Sequence, residues 1–153
     1  ADPRDPDLRR WCRRAMAMHV SSAERLDDLD GFYGRLLELV GPITSLDDLA
    51  KNGVAATIGR ARSALGSCDA IWLTVDIDVL DLAFAPGCPG ARPGGMTPRQ
   101  LAAACRAIGR HQAVRAADFV EVDPGRDRDG LTAMNAASAF LAFVSGLGER
   151  EAP

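Results

Sequence analysis

The stretch that most constrains the fold is Ala70-Ile71-Trp72-Leu73-Thr74-Val75, an unbroken apolar, β-prone run that ends on Asp76-Ile77-Asp78. A strand with one wet face alternates apolar and polar residues. A continuous run instead predicts a strand buried on both faces of a parallel sheet. It is followed, up to Gly95, by a segment punctuated by Pro86, Gly87, Pro89, Gly90, Pro93, Gly94 and Gly95. A loop of that length within a compact domain is usually functional.

The segments downstream repeat the alternation. Thr97-Pro98-Arg99-Gln100 reads as a helix start: Thr97 caps, Pro98 suits the first helical position and Gln100 completes a capping box. That helix is expected to run to Arg110. Ala113 to Val122 reads as a second buried strand, closing on Glu121-Val122-Asp123-Pro124, and Gly125 to Gly130 as a charged turn. Leu131 to Val144 is the last predicted helix, with Ala139, Phe140 and Phe143 in its apolar part. Helix, strand, long loop, helix, strand, loop, helix is the order of an α/β layer with a parallel sheet and right-handed crossovers. In such sheets chemistry collects beyond the C-terminal ends of the strands. Asp76, Asp78 and Glu121 all fall there.

Upstream, Leu29, Phe32, Leu36, Leu37 and Val40 recur at helical spacing, which predicts a helix from Asp28 to Val40 stopped by Gly41-Pro42. Ser45 and Asp48 form a weak capping box for a short helix from Leu46 to Lys51, halted at Asn52-Gly53. Val54, Ile58, Ala61 and Leu65 mark the buried stripe of the next helix, and Gly66 its stop. The first fifteen residues, polar and carrying Pro3 and Pro6, read as a loose lead-in. Leu8 to Met18 is read as helical, although Ala15 to Val20 suits a strand equally. The 153 residues suit one domain spanning 1–153.

A net charge of -3, from 18 Lys+Arg against 21 Asp+Glu, gives no electrostatic reason to expect nucleic acid or an anionic membrane as partner. The cluster Arg9, Arg10, Arg13 and Arg14 lacks interleaved aromatics and reads as a solvated helix face. No apolar stretch is read as long enough to cross a bilayer, and the charged N-terminus does not resemble a signal peptide. Cys12, Cys68, Cys88 and Cys105 have neither zinc-site nor disulfide-framework spacing. Reduced thiols and a cytoplasmic location are the expectation, with Cys88 set apart by its place in the loop.

Asp76 and Asp78 carry the chemistry. Residues i and i+2 of a strand point the same way. Two carboxylates on one side of a strand end repel and are costly to desolvate, and a divalent cation removes that cost. Oxygen ligands suit Mg²⁺, Ca²⁺ or Mn²⁺. Taken alone, D-x-D is more often a string on an ordinary loop; the buried run before it and the Gly/Pro loop after it favour metal. An EF-hand needs Gly at its sixth position and Glu at its twelfth, where this chain has Asp81 and Gly87. A nucleotide-binding D-x-D stays open, although no P-loop precedes a helix.

Taken in order, three segments resemble the ureohydrolase (arginase/agmatinase) family. They are Thr74-Val75-Asp76-Ile77-Asp78-Val79-Leu80-Asp81 with Ala85-Pro86-Gly87 and Pro93-Gly94-Gly95-Met96-Thr97, then Asp118-Phe119-Val120-Glu121-Val122-Asp123-Pro124, then Asp127-Arg128-Asp129-Gly130-Leu131-Thr132-Ala133. The resemblance covers roughly the last two thirds of the chain. It implies a three-layer parallel-sheet arginase-like fold, of which this is the C-terminal part and incomplete. It assigns Asp76 and Asp78 to a pair of Mn²⁺ ions and Glu121 to the substrate guanidinium, a natural charge-assisted pair. Asp81 is expected to orient the loop rather than bind metal. The implied reaction is hydrolysis of a linear amidine by metal-activated water, releasing urea and an amine from a guanidino compound, or formamide in formimino-type relatives. Family members form trimers or hexamers.

The chain departs from the family pattern in several places. The motifs G-G-D-H and D-A-H-x-D, which supply the family's other four metal ligands, are absent. The two histidines, His19 and His111, have no aspartate at the required spacing and read as structural or surface residues. Three accounts fit: a fragment of a longer protein, which is favoured, a half supplied by another polypeptide, or a decayed relative. Leu82 replaces the usual proline, and Cys88-Pro89-Gly90-Ala91-Arg92 replaces T-G-T-P-x, so substrate choice is open. Arg92 meets a substrate carboxylate on one reading and faces solvent on the other. Agmatinase-like Mn²⁺ hydrolase is therefore the first hypothesis. A non-catalytic assembly or regulatory domain is the second, and a Mg²⁺-nucleotide module the third.

Overall fold

The computed structural model describes residues 44–66 and 68–150. The lead-in, the helices expected at Leu8–Met18 and Asp28–Val40, and His19 lie outside the described residues.

Helix α1 spans Leu46–Leu65 and opens on the expected capping box, with the Asp48 amide donating to Ser45 Oγ at 3.1 Å and the Ser45 amide to Asp48 Oδ2 at 3.2 Å. It breaks at Gly53, whose φ of 75° only glycine adopts without strain, so the expected halt at Asn52-Gly53 is a kink between two helical pieces. Leu49, Thr57, Ile58 and Ala61 are its buried residues.

Strand β1, Ile71–Asp76, runs parallel to β2, Val114–Val120, in a two-stranded sheet. Leu73 pairs with Ala117, Val75 with Phe119 and Asp76 with Val120. Between the strands lie the long loop and α2, Pro98–Gly109, which starts on the expected Thr97–Gln100 box with proline in its first turn. A final helix, α3, spans Leu131–Gly148.

Among the described residues, only one face of this sheet is covered. Ile71, Leu73, Val75, Ala117 and Phe119 belong to the core with α2 and α3. Phe119 meets Phe140 edge-on at 5.6 Å and Phe143 at 6.3 Å. On the other face Trp72 is 65% exposed and Val120 is exposed. The expectation of strands buried on both faces is thus corrected: among the described residues no layer covers Trp72, Thr74, Ala116 and Val120. The apolar run records what a sheet covered on both faces needs, and the described residues supply one of its layers.

Helix α3 runs past Val144, the expected end, to Gly148. Gly146 does not stop it because the residue sits where α3 crosses α2. A Cβ at Gly146 would lie 2.2 Å from the Arg106 carbonyl oxygen, and one at Gly109 2.4 Å from that of Phe143. The missing side chains let two backbones touch. Beyond the crossing, Glu149 accepts from Arg106 Nε at 2.7 Å and also pairs with Arg110. No charge interrupts Leu131–Gly148, so this helix is long and apolar enough to cross a membrane by length and composition, contrary to the expectation from sequence. Here its Ala139, Phe143 and Gly146 are buried, while Met134, Phe140, Leu141 and Val144 are exposed.

Candidate functional site

The long loop packs into the main core. Leu80 and Ile77 are fully buried, and Ala85, Cys88, Ala91 and Met96 nearly so. Its ends are joined by the Leu80–Met96 and Asp81–Arg92 bridges, with the Met96 amide donating to Val79 O at 2.8 Å and the Asp81 amide to Met96 O at 3.0 Å. Asp81 orients the loop, as expected. Its Oδ1 accepts from the Ala83 amide at 2.8 Å and its Oδ2 from the Gly94 amide at 2.7 Å. These amides, Ala83 first, hold its carboxyl below the usual range. Gly94 has φ 91°, and a Cβ at Gly95 would lie 2.3 Å from the Asp81 nitrogen, so the closure needs both glycines.

Asp76 is the last residue of β1, and Ile77–Val79 form a 3₁₀ turn. Strand alternation therefore ends before Asp78 and does not set the direction of its side chain. The pair is organised by a capping contact instead: Asp76 Oδ1 accepts from the Asp78 amide at 3.0 Å. The loop closes on Asp78 from the other side, since a Cβ at Gly90 would lie 2.7 Å from Asp78 Oδ2. Buried Cys88 stands near both carboxylates. Burial first, then the charges of Asp78 and Asp76, push its thiol above the ordinary value, although the Gly90 and Ala91 amides pull the other way.

Glu121 follows Val120, the residue paired with Asp76, so it lies at the adjacent strand end. It has φ 67°, a conformation a non-glycine residue keeps only when its surroundings enforce it. Arg92 directs Nη1 at the carbonyls of Ala91, Gly90 and Pro89, at 2.8, 3.1 and 3.1 Å. The geometry gives that guanidinium nitrogen a loop-holding task. His111 is structural, as expected: its Nδ1 accepts from the Ala113 amide at 3.2 Å, and burial, with Arg62 and Arg150 nearby, lowers its pKa.

Several residues that matter here had no role assigned from sequence. The Gly87 amide donates to Thr132 Oγ1 at 2.8 Å, and Asn135 Nδ2 donates to Phe84 O at 2.8 Å. Asp127 accepts from the Thr132 and Ala133 amides at 2.8 and 2.9 Å. The signal for Asp127 and Thr132 is the segment Asp127 to Ala133, which the family resemblance singles out.

Asp76 and Asp78 fit Mn²⁺ in kind. They are hard oxygen donors at a strand end, with loop backbone closed tightly on one of them. In number they make one edge of a site, because among the described residues no group of three or more His, Cys, Asp or Glu is arranged to hold a metal. A small apolar hollow between α1 and α2, lined by Leu49, Val54, Ile58 and Ala104 among others, contains no acidic group.

Comparison with known proteins agrees with this geometry. The arginase family model matches residues 35–145, well over half of the chain. The formimidoylglutamase of Halalkalibacterium halodurans is 36% identical over 105 residues, which are 68% of this chain and 33% of that protein. The agmatinase of Chromobacterium violaceum is 40% identical over 86 residues, covering 56% of this chain and 26% of that protein. The crystal structure of Bacillus subtilis formimidoylglutamase superposes with a TM-score of 0.75 at 29% identity, over 80% of this chain and 38% of that one. The chain thus spans about a third of the length of the curated relatives it matches. The partial parallel sheet is part of an arginase-like fold, and the chain belongs to the arginase family of ureohydrolases.

Proposed function

We propose that this chain contributes the Asp76, Asp78 and Glu121 edge of a Mn²⁺-dependent site that hydrolyses a linear amidine, taking a guanidino compound to urea and an amine. The observation that carries this reading is the parallel register. It sets Asp76 opposite Val120, so the acidic pair and Glu121 stand at neighbouring strand ends, about 5 Å apart strand to strand. Asp76 and Asp78 hold metal, and Glu121 receives the amidinium through charge-assisted hydrogen bonds. When bound, Mn²⁺ supplies an acidified water as nucleophile. The Gly90 backbone lies against the Asp78 carboxylate, with buried Cys88 near it. Reduced thiols, a cytoplasmic setting and a homo-oligomeric complete enzyme belong to the same proposal.

The test is a Mn²⁺ titration of this chain followed by paramagnetic line broadening. Selective broadening at Asp76, Asp78 and Gly90 that disappears in Asp78→Ala supports the reading; uniform or absent broadening refutes it. With two of the family's metal carboxylates, the chain on its own is expected to release no urea from agmatine, arginine or guanidino acids with Mn²⁺ added. A non-catalytic assembly role is the second reading, favoured by the short donor set among the described residues. It predicts that joining the chain to a segment carrying G-G-D-H and D-A-H-x-D restores no turnover. Stabilisation by Mg²⁺-nucleotide but not by Mn²⁺ would instead select the nucleotide-binding alternative.

A further inference from the structure

We propose that Thr132 is a positioning residue that holds Glu121 in register with the acidic pair, an inference that rests on the reading of Asp76, Asp78 and Glu121 as one site.

Thr132 is fully buried near the start of α3, far along the chain from the end of β1. Its hydroxyl is used twice. It accepts from the Gly87 amide at 2.8 Å and hydrogen-bonds to the Asp127 carboxylate. Asp127 in turn accepts the Thr132 and Ala133 amides, fixing the first turn of α3. Gly87 is pressed against this group so closely that a Cβ there would lie 2.4 Å from Asp127 Cβ and 2.6 Å from its Cα. The Gly87 carbonyl then accepts from the Asp123 amide at 2.9 Å, two residues after Glu121. Three residues after Gly87, the same loop meets Asp78 at Gly90.

Gly87 is therefore a rivet. One side is fixed to the head of α3 by Thr132. The other fixes the backbone leaving Glu121, and the loop continues directly onto Asp78. Glu121 keeps its φ of 67° only while the backbone on its C-terminal side is held at Asp123. Removing the Thr132 hydroxyl frees the Gly87 amide, slackens the Asp123 contact and lets Glu121 relax to negative φ. The acidic pair keeps its own capping contact.

The test compares wild type with Thr132→Val, close in shape but without the hydroxyl, and Thr132→Ser, which restores it. Two readouts are taken: the φ-dependent backbone coupling of Glu121 without metal, and Mn²⁺ line broadening. In Thr132→Val the Glu121 coupling is expected to change, while Mn²⁺ broadening at Asp78 persists; Thr132→Ser restores the coupling. An unchanged coupling in a folded Thr132→Val overturns the inference. Absent broadening in wild type sinks the metal reading instead, and the coupling still judges the rivet. Should Thr132→Val not fold, wild-type hydrogen exchange decides: the Gly87 and Asp123 amides are expected to be protected, and fast exchange at both overturns the proposal.

Discussion

The α2–α3 crossing permits a prediction with a worked magnitude. In Gly146→Ala the new methyl would sit 2.2 Å from the Arg106 carbonyl oxygen and 3.0 Å from Gly109 Cα. Both are helix backbone, which cannot rotate aside as a side chain would. The helices must part by roughly 1 Å, which loosens the Phe143 and Ala139 packing, and overpacking of this kind costs about 3 kcal/mol at the upper end of its range. Alanine returns about 1 kcal/mol of helix propensity. The net loss is about 2 kcal/mol, a fall in melting temperature of about 4–8 °C for a chain of this size. Gly59→Ala is the control: its Cβ meets nothing within 4 Å, so propensity alone acts and stability rises by about 1 kcal/mol. Gly109→Ala makes the same clash from the other helix, with Phe143 O at 2.4 Å. Once the helices have parted, the second methyl finds room, so the double variant should lose less than the sum of the two. Thermal melts and urea titrations of wild type and the four variants decide the matter. If Gly146→Ala is as stable as wild type, or if the two losses add fully, backbone contact at this crossing does not set the helix spacing.

Gly90→Ala places a methyl 2.7 Å from Asp78 Oδ2 and should abolish Mn²⁺-induced broadening at Asp78 while leaving the melting curve nearly unchanged; retained broadening counts against the site. Asp81 and Asp127 both lie below the usual carboxylate range when folded: the Ala83 and Gly94 amides lower Asp81, and at Asp127 burial works upward but the Ala133 and Thr132 hydrogen bonds prevail. A folded pKa below the unfolded one adds stability that is complete above about pH 4 and is lost as the pH falls through the folded value. Urea midpoints should therefore drop on acidification below about pH 4, with a shallower slope in Asp81→Asn; equal slopes would exclude Asp81 as a source. Burial pushes the Cys105 thiol up to about 12 and raises Cys88, whereas Cys68 is only half-buried. With Cys12 replaced by serine, thiol reagent at neutral pH should label Cys68 alone, and labelling of Cys88 at the rate of Cys68 would show the loop to be open.

A metal site asks for more donors than the described residues bring together, and the chain covers only about a third of the relatives it matches. The exposed Trp72 and Val120 on the sheet and Leu141 and Val144 on α3 share that cause. Their residue types belong to an interior, and the described residues provide only part of one.

Local chemistry was readable without coordinates. Ser45 with Asp48 and Thr97 with Gln100 fixed two helix starts, Gly53 and Gly66 fixed a break and an end, and Asp81 declared itself as a loop anchor. Each depends on groups within a few residues, or within one loop, of one another. What tertiary structure alone decided was where distant backbones touch. Only the fold brings Gly146 against Gly109 and sets Arg92 Nη1 among the carbonyls of its own loop. Asp78 lies on a 3₁₀ turn rather than a strand because Ile77 and Leu80 are drawn into the core. Thr132 gained a role only when folding brought Gly87, 45 residues away in sequence, to its hydroxyl. Contacts of that range leave no periodicity in a sequence, since each rests on a single pair of atoms meeting once.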